Sequence, residues 1–167
     1  EPSIAAIKSL ESFKKGKIKN IIELGAGLGR DTIFFAKNSI NVKALDYSLS
    51  AIKIINKKIK KNNLFNSAIT KIFDVRKKLP FNDNSIDGFF SHMLYCMALS
   101  TEEIEKLNNE IYRVLKPNGS ICIGLYNKFG FVWTKFLLNA YLKGNWSLKK
   151  IENYISSQTE KAWITKS

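Results

Sequence analysis

Two hydrophobic periods alternate along this chain. Residues 18–24, 41–46, 68–73, 86–91 and 120–126 are short apolar runs with the length and β-branched content of buried strands. Between them, apolar residues recur at three- and four-residue spacing. Ile52, Ile55 and Ile59 form one such face, Ile104, Leu107 and Ile111 another, and residues 32–38 make a shorter helix. An opening helix carries Ile4, Ile7, Leu10 and Phe13 after Pro2-Ser3 and ends at Gly16. Ser48 stands where an N-cap belongs, and Ser100 with Glu103 has capping-box spacing. Pro117-Asn118-Gly119 stops the last patterned helix, and the cluster from Pro80 to Asn84 makes a turn. Strand alternating with helix predicts an α/β fold: a doubly wound, Rossmann-like, mostly parallel sheet with helices on both faces.

After Tyr126 the alternation fades into apolar and aromatic helical pieces. One domain over 1–167 is expected, with 1–15 as an N-terminal helix or lid, 18–126 as the core, and 127–167 as a helical segment on the substrate side. No pair of convincing strands follows Tyr126, so C-terminal antiparallel strands are expected to be missing or truncated. Phe129, Phe131, Trp133 and Phe136 read equally as core or as a cover over a substrate.

Composition narrows the class. The chain has 167 residues, 45% hydrophobic and 25% charged, which excludes a disordered tail or a disulfide scaffold. Cys96 and Cys122 have no metal-ligand spacing and read as buried packing residues in a reducing, cytoplasmic setting; no metal is expected. No run approaches the roughly 20 apolar residues that span a bilayer. The opening Glu1-Pro2-Ser3-Ile4 lacks an initiator methionine, a basic start and a long apolar segment, so a trimmed N-terminus without a signal peptide is expected. The net charge of +13 comes from 24 Lys and only 3 Arg. Arginine is the residue that reads phosphates and base edges by bidentate contact, so a solvated lysine surface is favoured over a nucleic-acid face.

The chemistry concentrates where the first strand meets its helix. Gly25-Ala26-Gly27-Leu28-Gly29 lets the backbone approach a ligand, and the helix after it presents free N–H groups. Asp46 lies 21 residues beyond Gly25, at the end of the next strand, where a carboxylate can accept from both hydroxyls of a ribose. A nucleoside cofactor fits this pair. A dinucleotide such as NAD would favour G-x-G-x-x-G, whereas this loop is G-x-G-x-G with acidic Glu23 before it. An acid there suits the cationic sulfonium and amino groups of S-adenosylmethionine.

With these motifs in order, the chain resembles the class I S-adenosylmethionine-dependent methyltransferases over roughly 18–126. The resemblance implies that Glu23, Gly25, Ala26, Gly27 and Gly29 wrap the methionine part of the cofactor, with Arg30 near its carboxylate. Asp46 would hold the ribose, with Tyr47 and Ser48 beside it and Tyr47 packed on the adenine. Asp74-Val75 would face the adenine amino group, and Ser91 would border the methyl-transfer site. Arg113-Val114-Leu115-Lys116-Pro117-Asn118-Gly119 matches the family's R-V-L-K-P-G-G signature and reads as architectural. Gly29-Arg30-Asp31 followed by Phe34-Phe35-Ala36 resembles the small-molecule branch of thiol, tellurite and quinone-biosynthesis enzymes.

His92 and Tyr95, just past the fourth strand, are the candidate catalytic residues. The implied reaction moves a methyl group to a small-molecule acceptor by in-line displacement and releases S-adenosylhomocysteine. Three rivals remain: an RNA or protein methyltransferase using the lysine surface, a non-catalytic cofactor-binding module, and a nicotinamide oxidoreductase. Ser91-His92-Met93-Leu94 lacks the N/D-P-P-Y/F tetrapeptide of DNA amino-methyltransferases, which lowers the nucleic-acid reading. Oligomeric state is not readable.

Overall fold

β1 (Asn20–Leu24), β2 (Asn41–Asp46), β3 (Ala68–Ile72), β4 (Ile86–His92) and β5 (Leu115–Asn127) lie parallel in one sheet ordered β3-β2-β1-β4-β5. The structure, a computed structural model, describes residues 1–97, 99–127, 130–133 and 164–165. The helices are α1 (Ile4–Lys15), α2 (Arg30–Lys37), α3 (Leu49–Lys61), the single turn α4 (Leu94–Met97) and α5 (Thr101–Val114). Successive strand residues point to opposite faces, and two separate cores result. Ile21, Val42, Ala44, Ala68 and Phe90 pack under α1, α2 and α3. Ile22, Leu24, Leu45, Phe89 and Ile121 pack under α5 and the chain from Val75 to Leu79. The expected doubly wound sheet with helices on both faces is what forms.

The caps explain the helix starts. Ser48 Oγ accepts from Ala51 N at the head of α3, and Ser100 and Glu103 close a full capping box at the head of α5. Ser3 caps α1 by accepting from Ala6 N. Ile52, Ile55 and Ile59 are buried as the periodicity requires. In α1 the periodicity misleads: Ala5, Ala6, Ser9, Leu10 and Phe13 are buried, while Ile4 and Ile7 face outward. Small residues win the inner face because α1 crosses closely over β5, where Ala5 meets Gly124.

Arg113, at the end of α5, fastens the loop between β3 and β4. Its Nη1 donates to Phe81 O at 3.0 Å and Asp83 Oδ1 at 2.6 Å, its Nη2 to Leu79 O at 3.1 Å, and its Nε to Glu110 Oε1 at 2.9 Å. Glu110 in turn accepts from Leu79 N. The signature arginine is architectural, as expected.

Two expectations change. Beyond β5 the chain does pair again: β6 (Gly130–Trp133) and β7 (Ile164–Thr165) both run antiparallel to β5. Segments of four and two residues are too short to show a hydrophobic period, which is why the sequence pattern missed them. The helical cover expected over 127–167 otherwise falls outside the described residues. Cys122 is buried as expected, but Cys96 is exposed on α4, whose packed face is taken by Leu94 and Tyr95.

Candidate functional site

Strand order reverses between β1 and β4, so the loops leaving their C-terminal ends diverge and open a crevice between them. The glycine loop is pinned there by its own backbone: Gly25 N and Ala26 N both donate to Leu45 O, and Gly29 N closes a turn on Ala26 O. Gly27 has φ +54° with nothing within 4 Å of where a Cβ would stand, so its glycine serves the backbone conformation and leaves open space above it. Gly29, at φ +71°, would carry a Cβ 2.7 Å from Ile55 Cγ1. That glycine is what lets α2 and α3 pack closely.

Asp46 closes the loop from β2. Its Oδ2 accepts from Gly27 N at 2.7 Å and its Oδ1 from Ser48 N at 2.9 Å. A carboxylate offers about four acceptor positions. Two are used by these backbone bonds, and two remain for a vicinal diol. Ser48 spends its hydroxyl on capping α3 and on Ser50. Asp74 is held by Arg76, whose Nε and Nη2 reach its two oxygens at 2.8 Å each. This pairing keeps the Asp74 carboxyl below its ordinary range.

A cleft of about 390 Å³ joins these groups, lined by Gly25, Asp46, Tyr47, Phe73, Asp74, Val75, Arg76, Leu94 and Leu99. It thus brings together five of the predicted residues: Gly25, Asp46, Tyr47, Asp74 and Val75. Phe73, Arg76, Leu94 and Leu99 were missed. The first two flank Asp74-Val75 directly, whereas Leu94 and Leu99 lie in a stretch with no readable period. A second hollow of about 360 Å³ opens at the opposite ends of the strands, beside Asn20, Asn41 and Asp87. It is far from the glycine loop.

Glu23 lies beneath the loop, fully buried on β1, and accepts from Thr32 Oγ1. Burial pushes its carboxyl up to about 8, with Asp31 and Asp46 adding to the rise and Thr32 opposing it. The sequence reading gave this acid a negative charge; the structure holds it protonated at neutral pH. Ala26 is buried in the loop, and Ser91 Oγ donates to Leu24 O at 3.0 Å, tying the ends of β4 and β1.

A second polar cluster sits beside the loop. Asp31 accepts from Ser3 N at 2.7 Å, from Ser3 Oγ at 2.8 Å and from Arg30 Nε at 3.2 Å, which binds the start of α1 to the start of α2. Arg30 Nη2 lies 3.2 Å from His92 Nδ1. Arginine can only donate, so this contact makes Nδ1 the acceptor and leaves the neutral ring's proton on Nε2. Burial and Arg30 lower the His92 pKa, and Asp31 only partly offsets them. His92 is therefore a neutral donor, not a free base. Tyr95 is also engaged: its hydroxyl donates to Asn108 Oδ1 at 2.9 Å, and burial raises the phenol well above its ordinary value. It packs toward α5, with its hydroxyl proton committed to Asn108. Asp31, given no role in the sequence beyond its place in the Gly29-Arg30-Asp31 motif, could have been suspected as an acid in the first turn of α2.

The sequence matches the family described as Methyltransferase domain over residues 22–123, from within β1 to within β5. The chain belongs to the class I S-adenosylmethionine-dependent methyltransferases. Phosphoethanolamine N-methyltransferase 1 of Triticum aestivum is 45% identical over 63% of the chain. Demethylmenaquinone methyltransferase of Lactobacillus johnsonii is 34% identical over 66% of the chain and 46% of its own length. The chain spans only 21% of the wheat protein's length. Among solved structures, a phosphoethanolamine N-methyltransferase of Haemonchus contortus, bound to phosphoethanolamine and S-adenosylhomocysteine, superposes with TM-score 0.58 at 25% identity, over 66% of this chain and 23% of that one. A methyltransferase of Aquifex aeolicus covers 77% of this chain and 69% of its own with TM-score 0.60; at 21% identity it speaks for the fold alone. In this family member the residues present suit the cofactor of the class, with a carboxylate for the diol, a cleft walled by Tyr47, Val75, Leu94 and Leu99, and a loop open at Gly27.

Proposed function

We propose that this chain transfers a methyl group from S-adenosylmethionine to a small-molecule acceptor. The observation that carries the reading is Asp46, bonded to the Gly27 amide with two acceptor positions to spare, at the crevice where strand order reverses. When bound, S-adenosylmethionine supplies a methyl already activated on a sulfonium. The protein's work is then to bind, align and exclude water. Asp46 holds the ribose hydroxyls, Asp74 receives the adenine amino group, and Tyr47, Val75, Leu94 and Leu99 wall the base. Ser91 and His92 end β4 at the transfer site. His92, with its ring held by Arg30, stands on the acceptor side, and α1 forms the acceptor-side wall.

A small acceptor is favoured by the relatives, which are named for phosphoethanolamine, demethylmenaquinone and sterols. A content of two cysteines in 167 residues suits a reducing cytoplasm. No helix among the described residues is long and apolar enough to cross a membrane.

Thermal unfolding with S-adenosylhomocysteine, S-adenosylmethionine or NAD, repeated on Asp46→Ala, tests the reading. Ligand at about 100 times its Kd adds roughly 2.7 kcal/mol of stability. The two adenosyl compounds should raise Tm in the wild type and not in the variant. A shift with NAD alone overturns the assignment, and turnover on no acceptor despite cofactor binding favours the non-catalytic module.

A further inference from the structure

Between Asp46 and Asp74 the chain has six lysines, Lys53, Lys57, Lys58, Lys60, Lys61 and Lys71, and no Asp or Glu. This segment is α3 and the edge strand β3. Behind its buried isoleucines, six large apolar residues stay open: Tyr47, Leu49, Ile54, Phe65, Ile69 and Ile72 are between 37% and 73% exposed. Those six are the majority of the exposed large apolar side chains among the described residues. Tyr47 belongs to the donor cleft; the other five have no partner in the proposed reaction.

The charged and apolar groups lie along one edge of the sheet, where α3 runs beside β3. Leu49, Lys53, Asn56 and Lys60 stand at helical spacing on one ridge of α3. Asn56 of that ridge accepts from Thr70 Oγ1 of β3 at 2.8 Å, so the ridge runs beside the edge strand. Ile72 shares Thr70's face of β3, while Ile69 and Lys71 emerge from its other face. Lys58 reaches the Leu28 carbonyl at 2.7 Å; among the described residues none of the six lysines forms an ion pair. Aliphatic side chains set among lysines, with no acid to neutralise them, match an anionic lipid surface: aliphatic groups enter the headgroup region and ammonium groups meet lipid phosphates. RNA fits less well. Base recognition favours arginine and stacked aromatic platforms, and the segment has no arginine and mostly aliphatic exposure.

We propose that the α3–β3 edge docks this protein reversibly on anionic phospholipid membranes. The surface begins at the rim of the donor cleft, where Tyr47 and Leu49 follow Asp46. The inference is independent of which acceptor is methylated.

The test is co-sedimentation of the full chain with phosphatidylcholine vesicles, with and without about 30 mol% phosphatidylglycerol, at about 0.1 M and about 1 M NaCl. Binding should require the anionic lipid and collapse at high salt. Each lysine near such a surface contributes roughly fivefold, so Lys53→Glu/Lys60→Glu should weaken partitioning by about 30-fold or more. Phe65→Ser/Ile69→Ser should weaken it without changing the salt dependence. Lys14→Glu/Lys15→Glu, the same charge change on α1, should bind nearly as wild type, with circular dichroism confirming that all variants fold. Equal loss in the α1 variant overturns the assignment to this edge. Failure to bind vesicles overturns the proposal, and binding of an RNA oligonucleotide instead, lost in Lys53→Glu/Lys60→Glu, transfers the face to nucleic acid.

Discussion

Replacing Glu23 by glutamine removes a titrating proton from beneath the glycine loop while keeping the shape and an oxygen to accept from Thr32. The carboxyl is raised from 4.5 to about 8, chiefly by burial. The sign follows from where the proton resides. Below about pH 4.5 both folded and unfolded chains hold it, and nothing is gained or lost. Between 4.5 and 8 the unfolded chain releases it and the folded chain does not, so wild-type stability falls as pH rises. At about 1.4 kcal/mol per pKa unit, the loss is on the order of 3 kcal/mol at pH 7 and roughly 5 kcal/mol once the pH passes 8. Glu23→Gln carries no such loss. Urea unfolding at about pH 5, 7 and 8.5 should show the variant's advantage growing across the series. Cofactor affinity should move the opposite way, because an ionised Glu23 favours the cationic end of the donor and an amide cannot. Parallel pH profiles for the two proteins would refute the reasoning, since they would mean that Glu23 is already ionised in the fold.

Gly124→Ala should reduce kcat roughly 10- to 100-fold and leave S-adenosylhomocysteine affinity unchanged, because the new Cβ would lie 2.6 Å from His92 Cδ2 and displace the ring; steady-state kinetics beside calorimetry checks the split. Arg113→Lys should lower stability, since an ammonium cannot serve Phe81, Asp83, Leu79 and Glu110 together. Denaturation measures that cost, and limited proteolysis should find the β3–β4 loop newly cleavable. Ser3→Ala removes both the α1 cap and the hydroxyl bond to Asp31, and a loss of about 1–2 kcal/mol is expected by urea unfolding.

The candidate donor side was legible because the groups proposed for it are written in contiguous residues at fixed intervals. Gly25, Gly27 and Gly29 must be glycine at positive φ, and Asp46 must end the neighbouring strand, so both leave local traces. Asp74 and Val75 follow β3 for the same reason. The second cluster left no such trace. Ser3, Arg30, Asp31 and His92 meet only because α1 folds back over β4 and β5, and a contact between residues 3 and 31 has no signature in either stretch. Position alone proposes His92 and Tyr95 for the transfer site but says nothing of their partners. Position puts both near the end of β4, but Arg30 and Asn108 decide which atoms are available. Periodicity failed in α1, where tight crossing selects alanine over the larger isoleucines.

Counting acceptor positions separates the aspartates proposed to bind ligand from the one that binds protein. Each carboxylate offers about four. Asp31 fills them with Ser3 N, Ser3 Oγ, Arg30 Nε and, at 3.5 Å, Arg30 Nη2. It has nothing left for a ligand and serves as the peg that joins α1 to α2. Asp46 uses two, on Gly27 N and Ser48 N, leaving two for the paired hydroxyls of a ribose. Asp74 uses three, all on Arg76, leaving one for the single N–H that an adenine amino group turns toward it. The three carboxylates look alike in sequence. Their remaining capacity matches, in number, what a nucleoside asks of each end of the cleft, and it explains why Arg76, invisible to motif reading, belongs to the site: it orients Asp74 and sets how many bonds that carboxylate can still accept.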